Sequence, residues 1–149
     1  RLAGEYRQES WGGNTLTKRL FPEVLLEKDS LDFSFSGLKT AVKREIDREM
    51  GKNSMLSDDF QKFIAYEFEE TATDILSKKL IRALETTWAT LMMLAGWVSA
   101  NTVLKEKLTK LANDRNIRFL APTKNLYSMD NAAMVGVRAY YKIKYEDKP

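Results

Sequence analysis

The sequence contains no cysteine and no histidine among its 149 residues. Without cysteine, the chain can form neither a disulfide scaffold nor a thiolate metal site. Without histidine, it has no Ser-His-Asp or Cys-His nucleophile arrangement and no histidine-based zinc site. It also lacks the side chain that most often serves as a general base. No apolar run approaches the roughly 18 residues that a membrane-spanning helix needs, so we expect no membrane partner and a cytoplasmic protein.

The overall composition is that of one ordinary globular domain. Hydrophobic residues make up 44% of the chain and charged residues 30%, which is typical of folded rather than disordered proteins. The formal net charge of +3 permits a nucleic-acid partner but does not argue for one. Composition therefore predicts a folded domain and leaves its function open.

The spacing of apolar residues predicts an α/β protein with a helical first half. Expected helices cover residues 14–20, 38–50, 58–86, 98–113 and 130–144, and expected strands cover 31–35, 90–94 and 117–120. Ser57, followed by Asp58 and Asp59, predicts a capped start for the longest helix. From residue 90 onward the order is strand, helix, strand, helix, which predicts a βαβα unit with a short parallel sheet whose first strand is buried.

Three short segments could carry chemistry. The run DFSFSGLKT at residues 32–40 fits a strand that turns into a helix. The run LAGWVSAN at residues 94–101 leads from a strand through a glycine turn to a helix start. Unpaired backbone N–H groups at such a helix start suit a phosphate or a nucleotide. Most turns of this kind, however, bind nothing. The run SMDNAAM at residues 128–134 contains Asp130, which could cap a helix or bind a metal.

In this order, the three segments resemble the tRNA threonylcarbamoyladenosine transferases, also called glycoproteases or O-sialoglycoprotein endopeptidases. The family pattern is DFSFSGLKTAV, then GGVxAN, then TDNxAM. The first pattern is intact at residues 32–42, and the other two correspond to residues 96–101 and 129–134. The pair Gly12-Gly13 looks like the PGG turn of the family, so the resemblance covers nearly the whole chain.

The resemblance implies a fold and a division of the chain. Family members have the two-lobed fold of actin, hexokinase and heat-shock chaperones, and residues 1–149 would form a single C-terminal-lobe domain. Residues 1–30 would be a linking segment and residues 31–87 a helical insertion. Residues 88–145 would be the βαβα unit with the nucleotide pocket. The N-terminal lobe is then missing, and the surface that should face it would be exposed and apolar, which favours self-association.

The resemblance also implies an activity and a set of site residues. Family members transfer a threonylcarbamoyl group from its adenylate to N6 of adenosine 37 in tRNA, with accessory subunits and one iron or zinc ion. The matching positions make Asp130 a metal ligand and Asn101 a contact of the nucleotide, either ATP or threonylcarbamoyl-adenylate. Gly13 would bind substrate, and Gly96 would line the adenosine pocket.

Three departures from the family pattern qualify this expectation, and one of them is an altered run at residues 7–11, before Gly12-Gly13. The His-x-x-x-His half of the metal site is absent because the chain has no histidine, so we expect the isolated chain to be inactive. The absence of histidine also removes support for proteolysis. Trp97 stands where the family has its second glycine, and its indole should either fill the pocket or rearrange the turn. The alternative is a catalytically dead nucleotide-binding or scaffold relative.

Overall fold

The computed structural model describes residues 1–9, 19–22, 30–129 and 132–146. Its contacts divide the chain into two compact units, unit 1 (Arg1–Trp88) and unit 2 (Ala89–Pro149). Within the described residues, no helix is both long enough and apolar enough to cross a membrane. Each unit has its own elements and its own buried residues, and the two are described in turn.

Unit 1 is helical throughout its described secondary structure. It contains α1 (Leu2–Glu9), α2 (Ser36–Met50) and α3 (Asp58–Thr87). The predicted start of α3 is confirmed: the Ser57 hydroxyl accepts a hydrogen bond from the backbone N–H of Phe60 at 3.3 Å. Asp58 and Asp59 lie in the first turn, where the helix dipole favours negative charge. A helix of 30 residues gives unit 1 a long surface on which other segments pack.

The apolar core of unit 1 lies where α2 and a preceding segment meet α3. Leu38 of α2 and Ile75 of α3 are completely buried, together with Phe21 and Ile64. Phe35 packs against this cluster from the residue before α2. Apolar side chains from three distant parts of the sequence therefore exclude water together, which is the main source of stability for a small unit.

A row of carboxylates on α3 holds two other parts of unit 1. The two oxygens of Glu70 bind different arginines, Arg7 at 2.6 Å and Arg19 at 2.8 Å. Glu67, which is completely buried, accepts a hydrogen bond from the backbone N–H of Leu20 at 2.8 Å. Buried charges persist only when they are paired in this way. Glu70 thus ties both α1 and the segment at residues 19–22 to α3.

The electrostatic environment keeps both arginines charged. Burial lowers the pKa of Arg7, but the hydrogen bond and charge of Glu70 outweigh it, and the net pKa is raised. Burial likewise lowers the pKa of Arg19, while a hydrogen bond with Tyr66 and the charges of Asp74 and Glu70 raise it above its usual value. Both guanidinium groups therefore act as permanent cations in this network.

The strand predicted at residues 31–35 is wrong. These residues are irregular, and the described part of unit 1 contains no strand. The Ser30 hydroxyl accepts from the backbone N–H of Asp32 at 3.0 Å, and the Ser34 hydroxyl accepts from that of Ser36 at 3.3 Å. Such local bonds compete with strand pairing.

The helix predicted from residue 38 begins at Ser36, and α1 was not predicted. The helix predicted at 14–20 falls mostly outside the described residues, and residues 19–20 are not helical.

Unit 2 has the predicted βαβα order. It contains β1 (Leu91–Met93), α4 (Thr102–Asp114), β2 (Arg118–Leu120) and α5 (Ala132–Tyr145), with short 3-10 turns at Trp97–Ala100 and Asn125–Ser128. The two strands pair in parallel, with Met92 opposite Phe119. The α/β class and the short parallel sheet with flanking helices are confirmed. Membership of a single lobe in a larger two-lobed fold stays a prediction.

The prediction that β1 is buried is wrong for two of its three residues. Met92 is buried, whereas Leu91 is 42% and Met93 is 69% exposed. Side chains alternate between the two faces of a strand, so one covered face buries only every second residue. The apolar stripe of α4 supplies most of the buried residues of unit 2: Val103, Leu104, Leu108, Leu111 and Ala112. The face that carries Leu91 and Met93 has no such cover within the described residues.

Candidate functional site

The loops that follow the two strands meet in unit 2. The carboxyl ends of parallel strands lie at the same edge of a sheet, and open α/β sheets bind ligands at that edge. The hydroxyl of Ser99, after β1, donates a hydrogen bond to the hydroxyl of Ser128, after β2, at 2.8 Å. Both serines are buried. This bond joins the second and third sequence motifs, which are distant along the chain.

Gly96 forms the turn between β1 and the first 3-10 turn. Its backbone has φ of 81° and ψ of 175°, a combination that is essentially restricted to glycine. No atom lies within 4 Å of the place where a Cβ would be, so backbone conformation rather than crowding requires glycine. The carbonyl of Gly96 accepts from the N–H of Ser99 at 3.0 Å. The structure therefore places Gly96 at the carboxyl edge of the sheet, and its contact with adenosine stays a prediction.

Asn101 ends the same loop and begins the helix that follows. Its side-chain oxygen accepts a hydrogen bond from the backbone N–H of Leu104 at 2.7 Å, which caps α4. Consequently, the helix that was predicted from residue 98 begins at Thr102. The side-chain oxygen of Asn101 is engaged by the helix, so Asn101 has a structural role in addition to its predicted contact with the nucleotide.

Trp97 lies in the loop that follows Gly96. The residue is part of the first 3-10 turn, and its side chain is 77% exposed. The effect of the indole on the adenosine pocket and on the turn of the family stays a prediction.

Two of the four predicted site residues, Gly13 and Asp130, lie outside the described residues. Their roles stay predictions. An iron or zinc site takes about three protein ligands. The chain has no histidine or cysteine, and the described residues contain no group of three or more Asp or Glu that could hold a metal. The residues present do not fit a complete metal site, so Asp130 could contribute at most one ligand.

The first motif lies in unit 1, at the start of α2. The Ser34 and Ser36 hydroxyls are hydrogen-bonded to each other at 2.8 Å, and the Thr40 hydroxyl donates to the carbonyl of Ser36 at 2.9 Å. A shallow groove of about 430 Å³ beside them is lined by Pro22, Ser36, Gly37, Thr40, Ala41 and Arg44. Within this motif, the side chain of Leu38 is buried, whereas the hydroxyl groups of Ser36 and Thr40 belong to exposed residues.

Comparison with known proteins identifies the family. The model of the family described as tRNA N6-adenosine threonylcarbamoyltransferase matches residues 5–137, which include parts of both units. This chain belongs to that family. The resemblance inferred from the three motifs is thereby confirmed.

Curated relatives carry the same description. The tRNA N6-adenosine threonylcarbamoyltransferase of Desulfitobacterium hafniense (strain Y51) is 41% identical over 130 residues, which is 86% of this chain and 36% of the relative. That of Staphylococcus haemolyticus (strain JCSC1435) is 39% identical over 81% of this chain and 34% of its own length. That of Clostridioides difficile (strain 630) is 38% identical, with 81% and 35% covered. The chain thus spans about a third of the length of these family members.

Sequence reasoning missed the Ser99–Ser128 pair. A serine hydroxyl has no periodicity that predicts its partner, and these two residues are 29 positions apart. The capping role of Asn101 was also missed, although a signal exists. An Asn immediately before the periodic apolar residues of α4 is a typical helix start.

Proposed function

We propose that this chain is the nucleotide-binding part of a tRNA N6-adenosine threonylcarbamoyltransferase. The substrate is threonylcarbamoyl-adenylate, and the acceptor is N6 of adenosine 37 in a tRNA. Membership of the family supports the reaction class. One observation supports placing the nucleotide site in this part of the chain. The loops of two motifs meet at the carboxyl edge of the parallel sheet, where Ser99 and Ser128 are hydrogen-bonded.

In this proposal, the loop from Gly96 to Asn101 binds the adenosine moiety. Gly96 lets the backbone approach the ligand closely, because no side chain projects from it. The start of α4 offers the positive end of a helix dipole to the adenylate phosphate. Asn101 holds that helix start in place through its bond to Leu104 and orients the amide group towards the nucleotide. Gly13 is proposed as a substrate-binding residue on the family resemblance alone.

The complete reaction requires parts that this chain does not contain. About two thirds of the length of each relative has no counterpart here. We propose that the missing lobe completes the site, that Asp130 is one ligand of an iron or zinc ion, and that accessory subunits and tRNA bind the completed protein in the cytoplasm. The isolated chain should therefore be inactive. Transfer to tRNA by the isolated chain, supplied only with metal and threonylcarbamoyl-adenylate, would contradict this proposal.

A second candidate function is a catalytically dead nucleotide-binding or scaffold relative. The observation that favours it is Trp97, an exposed indole directly beside Gly96 at the position where the family has glycine. An indole at this point would contact a bound nucleotide or block its approach. The two functions differ in whether the loop still binds a nucleotide.

Calorimetric titration with ATP tests the proposal. We expect the natural chain to bind and Trp97→Gly to bind at least as tightly. Asn101→Asp keeps the cap of α4 but places a carboxylate beside the phosphate, so its affinity should fall by about tenfold, or roughly 1.4 kcal/mol. Asn113→Asp makes the same change at the opposite end of α4, on an exposed residue, and should leave binding unaltered.

Each other result has a definite meaning. Binding only by Trp97→Gly would favour the dead relative, because the indole would then block an otherwise intact pocket. Equal loss of affinity in Asn101→Asp and Asn113→Asp would indicate a general charge effect rather than a contact. Absence of binding by both the natural chain and Trp97→Gly would overturn the assignment of the nucleotide site to this chain alone.

A further inference from the structure

Two polar atoms on α3 are buried in unit 1 without a hydrogen-bond partner among the described residues. They are the Oε1 atom of Glu67 and the hydroxyl oxygen of Thr71, and both residues are completely buried. In folded proteins, roughly 90% or more of buried polar groups have a partner, which is either another protein group or an ordered water molecule. These two atoms therefore need a partner that the described side chains do not supply.

Glu67 and Thr71 lie on the same face of α3. They are four residues apart, which places their Cβ atoms about 5–6 Å from each other. The second carboxylate oxygen of Glu67, Oε2, accepts a hydrogen bond from the backbone N–H of Leu20 at 2.8 Å. The two unpartnered atoms thus lie beside the contact that holds the segment at residues 19–22 against α3.

The hydroxyl of Thr71 differs from every other hydroxyl on α3. Four of them each donate to the backbone carbonyl four residues earlier, at 2.7–2.8 Å: those of Thr73, Ser77, Thr86 and Thr87. Through this local bond a hydroxyl inside a helix satisfies itself. The carbonyl of Glu67 is the corresponding acceptor for Thr71, yet the Thr71 hydroxyl makes no bond to it. This hydroxyl can therefore bind a group other than its own helix.

A cation lies just beyond hydrogen-bond distance of the same Glu67 oxygen. The Nη1 atom of Arg19 is 3.8 Å from Oε1 of Glu67, whereas direct N–H···O bonds span about 2.7–3.2 Å. The other terminal nitrogen of Arg19 is held by Glu70 at 2.8 Å and by Asp74 at 3.2 Å. These ion pairs fix the position of the guanidinium group. A fixed polar pair more than about 3.5 Å apart is typical of groups that share a bridging water.

Charge and hydrogen-bonding capacity favour water as the ligand at this place. A cation would be repelled by the Arg19 guanidinium group, and no group of three or more Asp or Glu among the described residues could hold a metal. An anion would be repelled by the Glu67 carboxylate. A water molecule offers two donors and two acceptors, and buried waters typically make about three hydrogen bonds.

We propose that unit 1 contains a site for one buried water molecule, which bridges Glu67, Thr71 and Arg19. The water donates to Oε1 of Glu67 and accepts from the Thr71 hydroxyl and from Nη1 of Arg19. It thereby connects the Glu67 carboxylate to the ion pair between Arg19 and Glu70, so that one continuous network ties residues 19–22 to α3. The site involves no residue of the proposed nucleotide site, and its test is independent of nucleotide binding.

Oxygen-17 relaxation dispersion tests the proposal on the full 149-residue chain, with water itself as the probe, by counting long-lived internal waters. Thr71→Val removes the hydroxyl and nearly keeps the shape of the side chain, and we expect the count to fall by about one. Thr71→Ser keeps a hydroxyl and should keep the count of the natural chain. Thr73→Val is the matched control, because Thr73 is also buried on α3 but its hydroxyl donates to two backbone carbonyls. This control should leave the count unchanged.

Urea denaturation gives an independent measurement. Thr71→Val should lower the folding equilibrium constant about fivefold, because the loss of a hydrogen-bonded hydroxyl costs about 1 kcal/mol. A folding constant that is unchanged or raised would mean that the hydroxyl has no partner in solution, and would overturn the proposal. An equal water count in Thr71→Val and the natural chain would overturn it as well.

A high-resolution crystal structure of the natural chain decides the case in which Thr71→Val does not fold. We expect a water molecule within about 2.5–3.0 Å of both Oε1 of Glu67 and the Thr71 hydroxyl. A direct bond between these two side chains, or a site without a water, would overturn the proposal.

Discussion

Unit 1 buries paired charges, whereas unit 2 contains one whole helix with no buried residue among those described. Unit 1 buries charge: Glu67 is completely buried, and Glu70 holds two arginines at once. Unit 2 exposes apolar residues, on both sides of Met92 in β1 and around the whole of α5. Burying a charge is costly unless it is paired, and exposing an apolar surface forgoes the stability that burial would supply.

The contrast lies in which groups find partners within the described residues. In unit 1, both oxygens of Glu70 bind arginines of the same chain. In unit 2, most of the buried apolar residues lie on α4, whereas α5 contributes none. Four changes test the contrast, in order of the expected effect.

The largest effect is expected at Ile75, which is completely buried in the core of unit 1. Ile75→Ala leaves a cavity and should lower the free energy of unfolding by about 2–5 kcal/mol, measured by urea denaturation with circular dichroism. Ile143→Ala makes the same change on the exposed helix α5 and should alter stability by less than about 0.5 kcal/mol. A large loss at Ile143 would mean that α5 is already covered in the isolated chain.

The next effect concerns the carboxylate that bridges two arginines. Glu70→Gln keeps the shape of the side chain but removes its charge. It should cost about 2 kcal/mol, because Arg7 keeps only Glu69 and Arg19 loses the closest of its carboxylate partners. Asp47→Asn is the control, since the pair between Asp47 and Lys43 is solvent-exposed and should contribute less than about 0.5 kcal/mol. Equal losses in the two variants would show that the charges of unit 1 are effectively solvated.

The pH dependence of this network follows from the arginines. The folded-state pKa of Arg7 and of Arg19 is raised, so the stability they contribute is present below the unfolded-state pKa. It is lost only as the pH rises through the folded-state value. The cost of Glu70→Gln should therefore not decrease when denaturation is repeated at mildly alkaline pH, and a decrease would contradict the assignment of both partners as permanent cations.

A smaller effect is expected at the helix cap in unit 2. Asn101→Ala removes the acceptor for the Leu104 N–H and should cost about 1 kcal/mol, whereas Asn101→Asp keeps an acceptor and should cost much less. Denaturant titration of both variants measures the difference. If both substitutions cost the same, the cap does not explain the stability effect of residue 101.

The smallest effect is a gain at the end of unit 1. Trp88 ends α3 with φ of 53°, in the left-handed region that glycine adopts without strain, and its side chain is 88% exposed. Trp88→Gly should therefore stabilise the chain by up to about 1 kcal/mol. Trp97→Gly changes an exposed tryptophan inside a 3-10 turn and should bring no gain. A loss of thermal stability in Trp88→Gly would indicate that the indole has a packing partner in solution.

The predictions from the sequence succeeded where one local pattern was sufficient. Ser57 and a long apolar stripe predicted α3 to within one residue at its end. The order of elements after residue 90 predicted the parallel pair of strands. The strand at residues 31–35 failed because alternating apolar residues also fit an irregular segment, in which Ser30 and Ser34 bond the nearby backbone. Of the site residues, Gly96 and Asn101 were found from their motif, while Gly13 and Asp130 lie outside the described residues.

By itself, the sequence determined the family, the order of helices and strands in unit 2 and the position of the glycine turn after β1. These features depend on short runs of neighbouring residues, which a linear pattern records. Only the tertiary structure decided that Ser99 contacts Ser128, that Glu70 binds two arginines and that α5 has no buried residue within the described part of the chain. Each of these depends on residues far apart in the chain, and whether an apolar or charged group is satisfied is a property of the surfaces that surround it.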